Sequence, residues 1–230
     1  MKFKFKYALI VLSMVILSCG SDDDGSPTTT PVDPEQPITA AYTATITTEF
    51  SEENFPQDYP SGASFGTIVA ITHEPGLSVY QLGQIASEGF EAYVEDGDVA
   101  ALGAFISSQV GEENEGSFSI QSAGSVSAVG SETFNLSFTP TRTRVTIIAN
   151  LNPSPDWFVG VSSFDITDGN SLIENEIIGL QPIDAGTSSG DTYDAPDETE
   201  NAVISTINGA PFSSGGFTPE IGQIEISRVN

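Results

Sequence analysis

The sequence is poor in the residues on which most catalytic and metal-binding sites depend. It contains one cysteine, Cys19, and one histidine, His73, among 230 residues. An intrachain disulfide is therefore excluded, and transition-metal sites lack their usual thiolate and imidazole donors. A catalytic triad would depend on His73, yet no serine is predicted to lie on a strand-turn-helix elbow that presents a nucleophile. We interpret His73 as a hydrogen-bonding residue at a strand end, and we predict that the protein is not an enzyme.

Basic residues are also scarce. The chain has 6 lysines and arginines against 32 aspartates and glutamates, and its formal net charge is −26 at pH 7. Such a chain is repelled by nucleic acids and by anionic lipid surfaces, so neither is predicted as a partner. The acidity suits solubility outside a cell and the binding of divalent cations, although most of these carboxylates are expected to be solvated.

The first 18 residues have the pattern of a bacterial secretion signal. Lysines near the start precede an apolar run from Tyr7 to Leu17, which is too short to span a bilayer comfortably. The run ends in "LSC", which resembles a lipobox, the motif whose cysteine is lipidated and becomes the first mature residue. We therefore predict a lipoprotein signal peptide over 1–18 and lipidation of Cys19. A transmembrane anchor is the alternative.

Residues 19–40 are predicted to form a flexible tether. They are acidic and rich in proline, and without apolar periodicity they cannot bury enough surface to offset the entropy of ordering. The run "SDDD" at 21–24 resembles the surface-export signal of Bacteroidota lipoproteins, and a solvated acidic linker is the alternative. The prediction is an outer-membrane lipoprotein, held in the membrane by its lipid and exposed at the cell surface.

Residues 41–230 are predicted to form one domain of the all-β class. Segments such as "AYTATITTEF" and "ETFNLSFTP" alternate apolar and polar residues, and further candidate strands follow without long helical intervals. This pattern favours an antiparallel two-sheet β-sandwich over an α/β fold. One short helix is predicted after Asp98, which can cap it, and we expect this helix over a sheet edge or one mouth of the sandwich. The stretch "LIENEII" at 172–178 permits either a second helix or a strand.

The remaining metal chemistry is that of a hard cation bound by oxygen atoms. The stretch "DITDGNSLIENE" departs from the helix-loop-helix calcium pattern because threonine and glycine stand where acidic ligands are needed. A glycosidase needs only two carboxylates, and their abundance here gives that alternative no support.

Two loops remain as candidates for a cation site with oxygen ligands. "PSPDWFVGV" at 153–161 places Asp156 before the only tryptophan, and "DAGTSSGDTY" at 184–193 places Asp184 after an apolar strand. The alternative for Asp156 is a residue that only shapes the turn.

These two motifs resemble those of the spondin N-terminal domain family, the family of F-spondin. The stretch 71–98 gives weaker support, and the likeness extends from about Tyr42 to the C-terminus. The resemblance implies a β-sandwich that is a variant of the C2 domain and binds calcium at one edge. It also implies that Asp156 and Asp184 are calcium ligands.

The resemblance has one departure, at Ser188. The family usually has a third ligand aspartate at this position, so a neutral hydroxyl is expected to replace a carboxylate among the metal ligands. Calcium requires six to eight oxygen atoms, and the resulting affinity is expected to be weak, with a dissociation constant of roughly 10⁻⁴ to 10⁻³ M. Asp191 could compensate for the missing acid, although a surface loop acid is the commoner interpretation.

Two functions remain open at this point. The first is a surface-anchored, non-catalytic, calcium-binding module that mediates adhesion or binding to a protein or glycan partner. The second is a structural accessory lipoprotein of an outer-membrane protein complex, in which calcium serves only stability. The sequence does not distinguish between them.

Overall fold

The computed structural model describes residues 39–111, 116–196, 198–213 and 217–229. The predicted signal peptide, Cys19 and almost all of the predicted tether lie outside the described residues. In chain order the elements are β1 (Ala40–Glu49), β2 (Ser64–His73), α1 (Glu88–Asp96), α2 (Val99–Val110), β3 (Phe118–Ser127), β4 (Val129–Phe138), β5 (Arg144–Asn152), β6 (Trp157–Asp165), β7 (Thr167–Asp168), β8 (Ser171–Leu172), β9 (Asn175–Leu180), β10 (Ile183–Asp184), β11 (Ser205–Thr206) and β12 (Gly222–Arg228).

Two antiparallel sheets form the main body of the fold. One has four strands in the order β4-β1-β12-β9, and the other has six strands in the order β11-β10-β6-β5-β2-β3. Every strand pairing within them is antiparallel. A further small hairpin joins β7 to β8. The predicted all-β antiparallel sandwich is therefore confirmed.

The main core lies between the two sheets. On β1 the alternation noted in the sequence is preserved, because Tyr42, Ala44 and Ile46 are all buried against the other sheet. Their neighbours Ile224 and Ile226 on β12 face the same way. Successive side chains of a strand point to opposite faces, so this alternation buries one face of the four-stranded sheet and leaves the other to solvent.

The helices cover the outer face of the six-stranded sheet. Asp98 caps α2 as predicted, since its Oδ1 accepts a hydrogen bond from Ala101 N at 2.9 Å. Helix α1 was not predicted, although Ser87 caps its start and Gly97, with φ at 70°, ends it. Apolar side chains of both helices pack against the outward-facing residues of β2, β5, β6 and β10. This second core contains Phe90, Tyr93, Val94, Leu102, Ile106, Val69, Ile71, Ile148, Phe158 and Ile183.

The predicted helix α2 packs against α1 and approaches Ile120 of the edge strand β3, whereas the unpredicted helix α1 covers the central strands β5 and β6. The physical reason is visible in β5, which is buried on both faces over Val145 to Leu151 and reads as a nearly continuous apolar run. A sheet with two apolar faces needs a cover on each. The stretch "LIENEII" adopts the strand alternative, as β9. Neither described helix is long and apolar enough to cross a membrane.

Candidate metal site

The turn between β5 and β6 places Asp156 directly before Trp157. Ser154 closes this turn: its hydroxyl donates to Leu151 O at 2.7 Å and accepts from Trp157 N at 3.1 Å. The tryptophan is 2% exposed, and its ring packs edge-on against Tyr193 with 5.2 Å between ring centroids. Trp157 therefore anchors the loop in the core and holds Asp156 in one position.

Asp156 is completely buried and connects its loop to the one that follows β10. Its Oδ2 accepts hydrogen bonds from Thr187 N at 2.8 Å, from Thr187 Oγ1 at 3.2 Å and from Ser188 N at 3.1 Å. Its other oxygen, Oδ1, is equally buried and has no hydrogen-bond partner among the described residues. Burial raises the pKa of Asp156, the three hydrogen bonds oppose this shift, and the nearby charge of Glu200 adds to it.

Asp184 lies beside this carboxylate because β10 pairs with β6 and sets Asp184 opposite Trp157. Its Oδ1 accepts from Gly186 N at 2.7 Å. Gly186 has φ at +71°, and a Cβ atom there would lie 2.6 Å from Ala202 O, so only glycine fits this turn. Burial and then the charge of Asp156 raise the pKa of Asp184 to about 6, against the opposing effect of the Gly186 hydrogen bond. The structure thus brings the two predicted acids into electrostatic contact.

Ser188 reaches Asp156 through its backbone. Its N–H donates to Asp156, whereas its hydroxyl accepts a hydrogen bond from Glu198 N at 3.3 Å. Ser188 is also 1% exposed and pairs with Thr199 in a β-bridge. The side chain thus joins two backbone segments, and a role for its hydroxyl as a metal ligand stays a prediction.

Glu200 is a further acid near the two predicted ligands. It is exposed, its N–H donates to Thr187 O at 2.7 Å, and its charge raises the pKa of both Asp156 and Asp184. No sequence motif marks it, because its position depends on the pairing of segments 186–189 and 198–202. Asp191 is exposed and lines a surface cleft together with Pro153, and its role as a substitute for the missing third acid stays a prediction.

The donor set fits a hard cation in part. Asp156 Oδ1 is a buried carboxylate oxygen without a partner, and Asp184 adds a second negative charge beside it. Nitrogen and sulfur donors are absent from this pair of loops, and oxygen-only donor sets suit Ca²⁺. Among the described residues, however, no group of three or more histidine, cysteine, aspartate or glutamate side chains is arranged to hold a metal ion. Asp156 and Asp184 would hold the ion, and neutral oxygens would complete its shell.

Among the described residues, no histidine lies beside a serine of this loop to act as its base, because His73 is used elsewhere. The letters "GTSSG" at 186–190 match the G-x-S-x-G pattern of serine hydrolases, but residues 191–196 directly after them form no helix, and Ser188 is buried. His73 is fully buried elsewhere. Its Nδ1 donates to Glu74 O at 2.9 Å, and its Nε2 accepts from Thr146 Oγ1 at 3.1 Å. Burial lowers the pKa of His73. Both ring nitrogens therefore serve the structure, as predicted for a strand-end histidine.

Comparison with known proteins agrees with these motifs. The profile of the Spondin_N family matches residues 40–212. Human spondin-2 is 33% identical over 205 residues, which cover 83% of this chain and 62% of spondin-2. Rat spondin-2 is 32% identical over 161 residues, covering 68% of this chain and 48% of the relative. Mouse spondin-1 is 30% identical over 207 residues, covering 83% of this chain and 25% of spondin-1. The chain thus spans about half to three fifths of the spondin-2 proteins, and it belongs to the Spondin_N family.

Proposed function

We propose that this protein is a non-catalytic binding module whose loops after β5 and β10 are organised by Ca²⁺. The observation that carries the proposal is the buried, unpartnered Oδ1 of Asp156 beside Asp184. A buried carboxylate oxygen without a donor is energetically unfavourable, and a second acid next to it increases the cost. A divalent cation bound between the two oxygens removes both costs at once.

The same loops explain why calcium would matter for binding a partner. Asp156 already ties the β5–β6 turn to residues 187 and 188, and Gly186 and Thr187 pair in turn with the segment around Glu200. An ion at Asp156 and Asp184 would hold these segments together at one end of the sandwich. Loops held rigidly in this way lose less conformational entropy when a partner docks on them.

Calcium-dependent stability is the direct test of this proposal. Thermal unfolding of the full-length protein in a mild detergent should be followed in a chelator, in millimolar calcium and in millimolar magnesium. We expect calcium to raise the melting temperature and magnesium to raise it much less, because Mg²⁺ demands a small octahedral site that two carboxylates in separate loops do not form. A melting temperature that is the same in chelator and in millimolar calcium would refute the calcium proposal.

The anchored, surface-exposed form of the module belongs to the same proposal. Cys19 would carry the lipid, the residues up to 40 would form the tether, and a protein or glycan outside the cell would be the partner. The alternative is an accessory lipoprotein of an outer-membrane protein complex. Purification of the native protein from membranes in calcium and in chelator separates the two: a partner lost in chelator supports the binding module, and a membrane protein complex retained in chelator supports the accessory role.

A further inference from the structure

A surface cleft next to the metal-site loops has only negatively charged residues among the charged residues described in its lining. It has a volume of about 780 Å³, and Pro153, from the same turn as Asp156, forms part of its wall. Four acidic residues line it, and no lysine or arginine is among its described lining residues. We call it the acidic cleft. Its acidic residues are Glu52, Asp58, Asp191 and Asp194.

Two tyrosines provide the aromatic part of the acidic cleft. The hydroxyl of Tyr59 is used within the fold, because it donates to Phe50 O at 2.9 Å. Tyr193 differs: the residue is 4% exposed, and its hydroxyl has no hydrogen-bond partner among the described residues. Burial raises the pKa of the Tyr193 phenol, and Tyr59 and Asp58 raise it further. The Tyr193 hydroxyl is itself buried, so Tyr193 forms part of the wall, and Tyr59 supplies the partly exposed aromatic ring.

The chemistry of these groups selects the ligand. Ionised carboxylates only accept hydrogen bonds. The cleft is consequently complementary to a ligand that has positive charge and several N–H donors. Aromatic rings add a further attraction for guanidinium and ammonium groups. A bare metal ion fits poorly, because the described acids do not converge into a group of three around one point.

We propose that the acidic cleft receives an arginine or lysine side chain of a partner protein. The cationic group pairs with Asp58 and Asp194, and its stem lies along the partly exposed ring of Tyr59. This inference names the partner chemistry for the proposed binding function and rests on that function, but the acidic cleft contains neither Asp156 nor Asp184.

The protein carries its own reporter for this site. Trp157 is the only tryptophan in the chain, and its ring packs edge-on against Tyr193 of the acidic cleft. Its fluorescence should be titrated in the full-length protein with a short capped peptide that has one arginine among glycines and serines. The control peptide has citrulline in place of arginine, which keeps the shape and removes the charge. A neutral tetrasaccharide serves as the glycan probe.

Matched variants distinguish the cleft from the general field of an acidic protein. Asp58→Asn with Asp194→Asn removes two charges from the cleft, and asparagine tolerates the φ of 53° at position 58 as aspartate does. Asp168→Asn with Glu176→Gln removes two exposed charges that do not line the cleft.

The expected result is saturable binding of the arginine peptide. The citrulline peptide and the Asp58/Asp194 variant should each weaken it by about tenfold or more. The Asp168/Glu176 variant should bind within about twofold of wild type, as expected for distant, screened charges. Equal binding of both peptides, or equal losses in both double variants, would overturn the proposal. So would saturable binding of the tetrasaccharide without binding of the arginine peptide.

The titration should be repeated in calcium and in chelator. Arginine-peptide binding in a protein whose stability ignores calcium would leave the cleft proposal standing and refute the calcium site. A calcium-stabilised protein that fails to bind the arginine peptide would refute the cleft proposal and leave the calcium site standing. The two proposals can therefore fail separately.

Discussion

Replacement of Asp156 by asparagine separates the two roles of this carboxylate. The amide oxygen of asparagine can take the place of Oδ2 and accept from Thr187 N and Ser188 N. The amide nitrogen then takes the place of Oδ1, which has no hydrogen-bond donor and lies near the negative charge of Asp184. The substitution therefore preserves the contacts of the turn and removes the charge that a cation needs.

The magnitude follows from two opposing effects. Hydrogen bonds to a neutral amide are weaker than those to a carboxylate by about 1 kcal/mol each. Against this, the raised pKa of Asp156 means that burial and neighbouring charges already disfavour the ionised form more than the hydrogen bonds favour it. In chelator we therefore expect Asp156→Asn to be about as stable as wild type.

In calcium the two proteins should differ. A ligand at about one hundred times its dissociation constant stabilises the native state by about 2.7 kcal/mol. For a domain of this size that corresponds to a rise of about 5 to 11 °C in melting temperature, which Asp156→Asn should largely lose. Differential scanning calorimetry of both proteins, with and without calcium, measures each of these quantities.

Asp156→Ala is the control for this experiment. It leaves the N–H groups of Thr187 and Ser188 buried without an acceptor, at a cost of about 1–3 kcal/mol for each group. We therefore expect Asp156→Ala to be destabilised in calcium and in chelator alike. A calcium response in Asp156→Asn equal to that of wild type would refute the reasoning, and Asp156 would then only shape the turn beside a buried tryptophan.

Three further predictions concern the anchor and the remaining site residues. Cys19→Ser should release the protein from the membrane fraction or leave it unprocessed, whereas processed protein that stays in the membrane on immunoblots would contradict the lipoprotein prediction. Ser188→Asp should raise calcium affinity in a titration and lower the melting temperature in chelator, because a third carboxylate adds a ligand and also repulsion. The raised pKa of Asp184, about 6 in the native state, lies above the unfolded value of about 3.9, so the native state binds more protons between these values. The melting temperature in chelator should consequently rise as pH falls from 7 to 5. Asp184→Asn should reduce this rise, and the exposed-site control Asp168→Asn should keep it.

The strands were the part of the fold that the sequence could predict well. Alternation along β1 and the near-continuous apolar run of β5 are local patterns, and each reports how many faces of a strand are buried. Helix α2 was also predictable from a local pattern, because its cap Asp98 lies directly before its apolar face. Helix α1, which was not predicted, carries comparable signals in its capping serine and terminal glycine. Its position on the sheet was beyond prediction, because a helical pattern identifies an apolar face but not the surface that it covers.

At the candidate site, too, the sequence determined some features and only the tertiary structure determined others. The sequence alone determined which donor atoms the site can offer. A chain with one histidine and one cysteine excludes nitrogen and sulfur sites and leaves oxygen donors. The sequence also placed Asp156 and Asp184 in the two loops that carry the family motifs. Only the tertiary structure decided that these loops lie side by side, through the pairing of β10 with β6. It also turned the hydroxyl of Ser188 toward Glu198 and brought Glu200 near both acids. The physical reason is that burial, hydrogen-bond partners and electrostatic neighbours depend on which segments meet in space, and residues 156, 184 and 200 meet through strand pairings that no local pattern encodes.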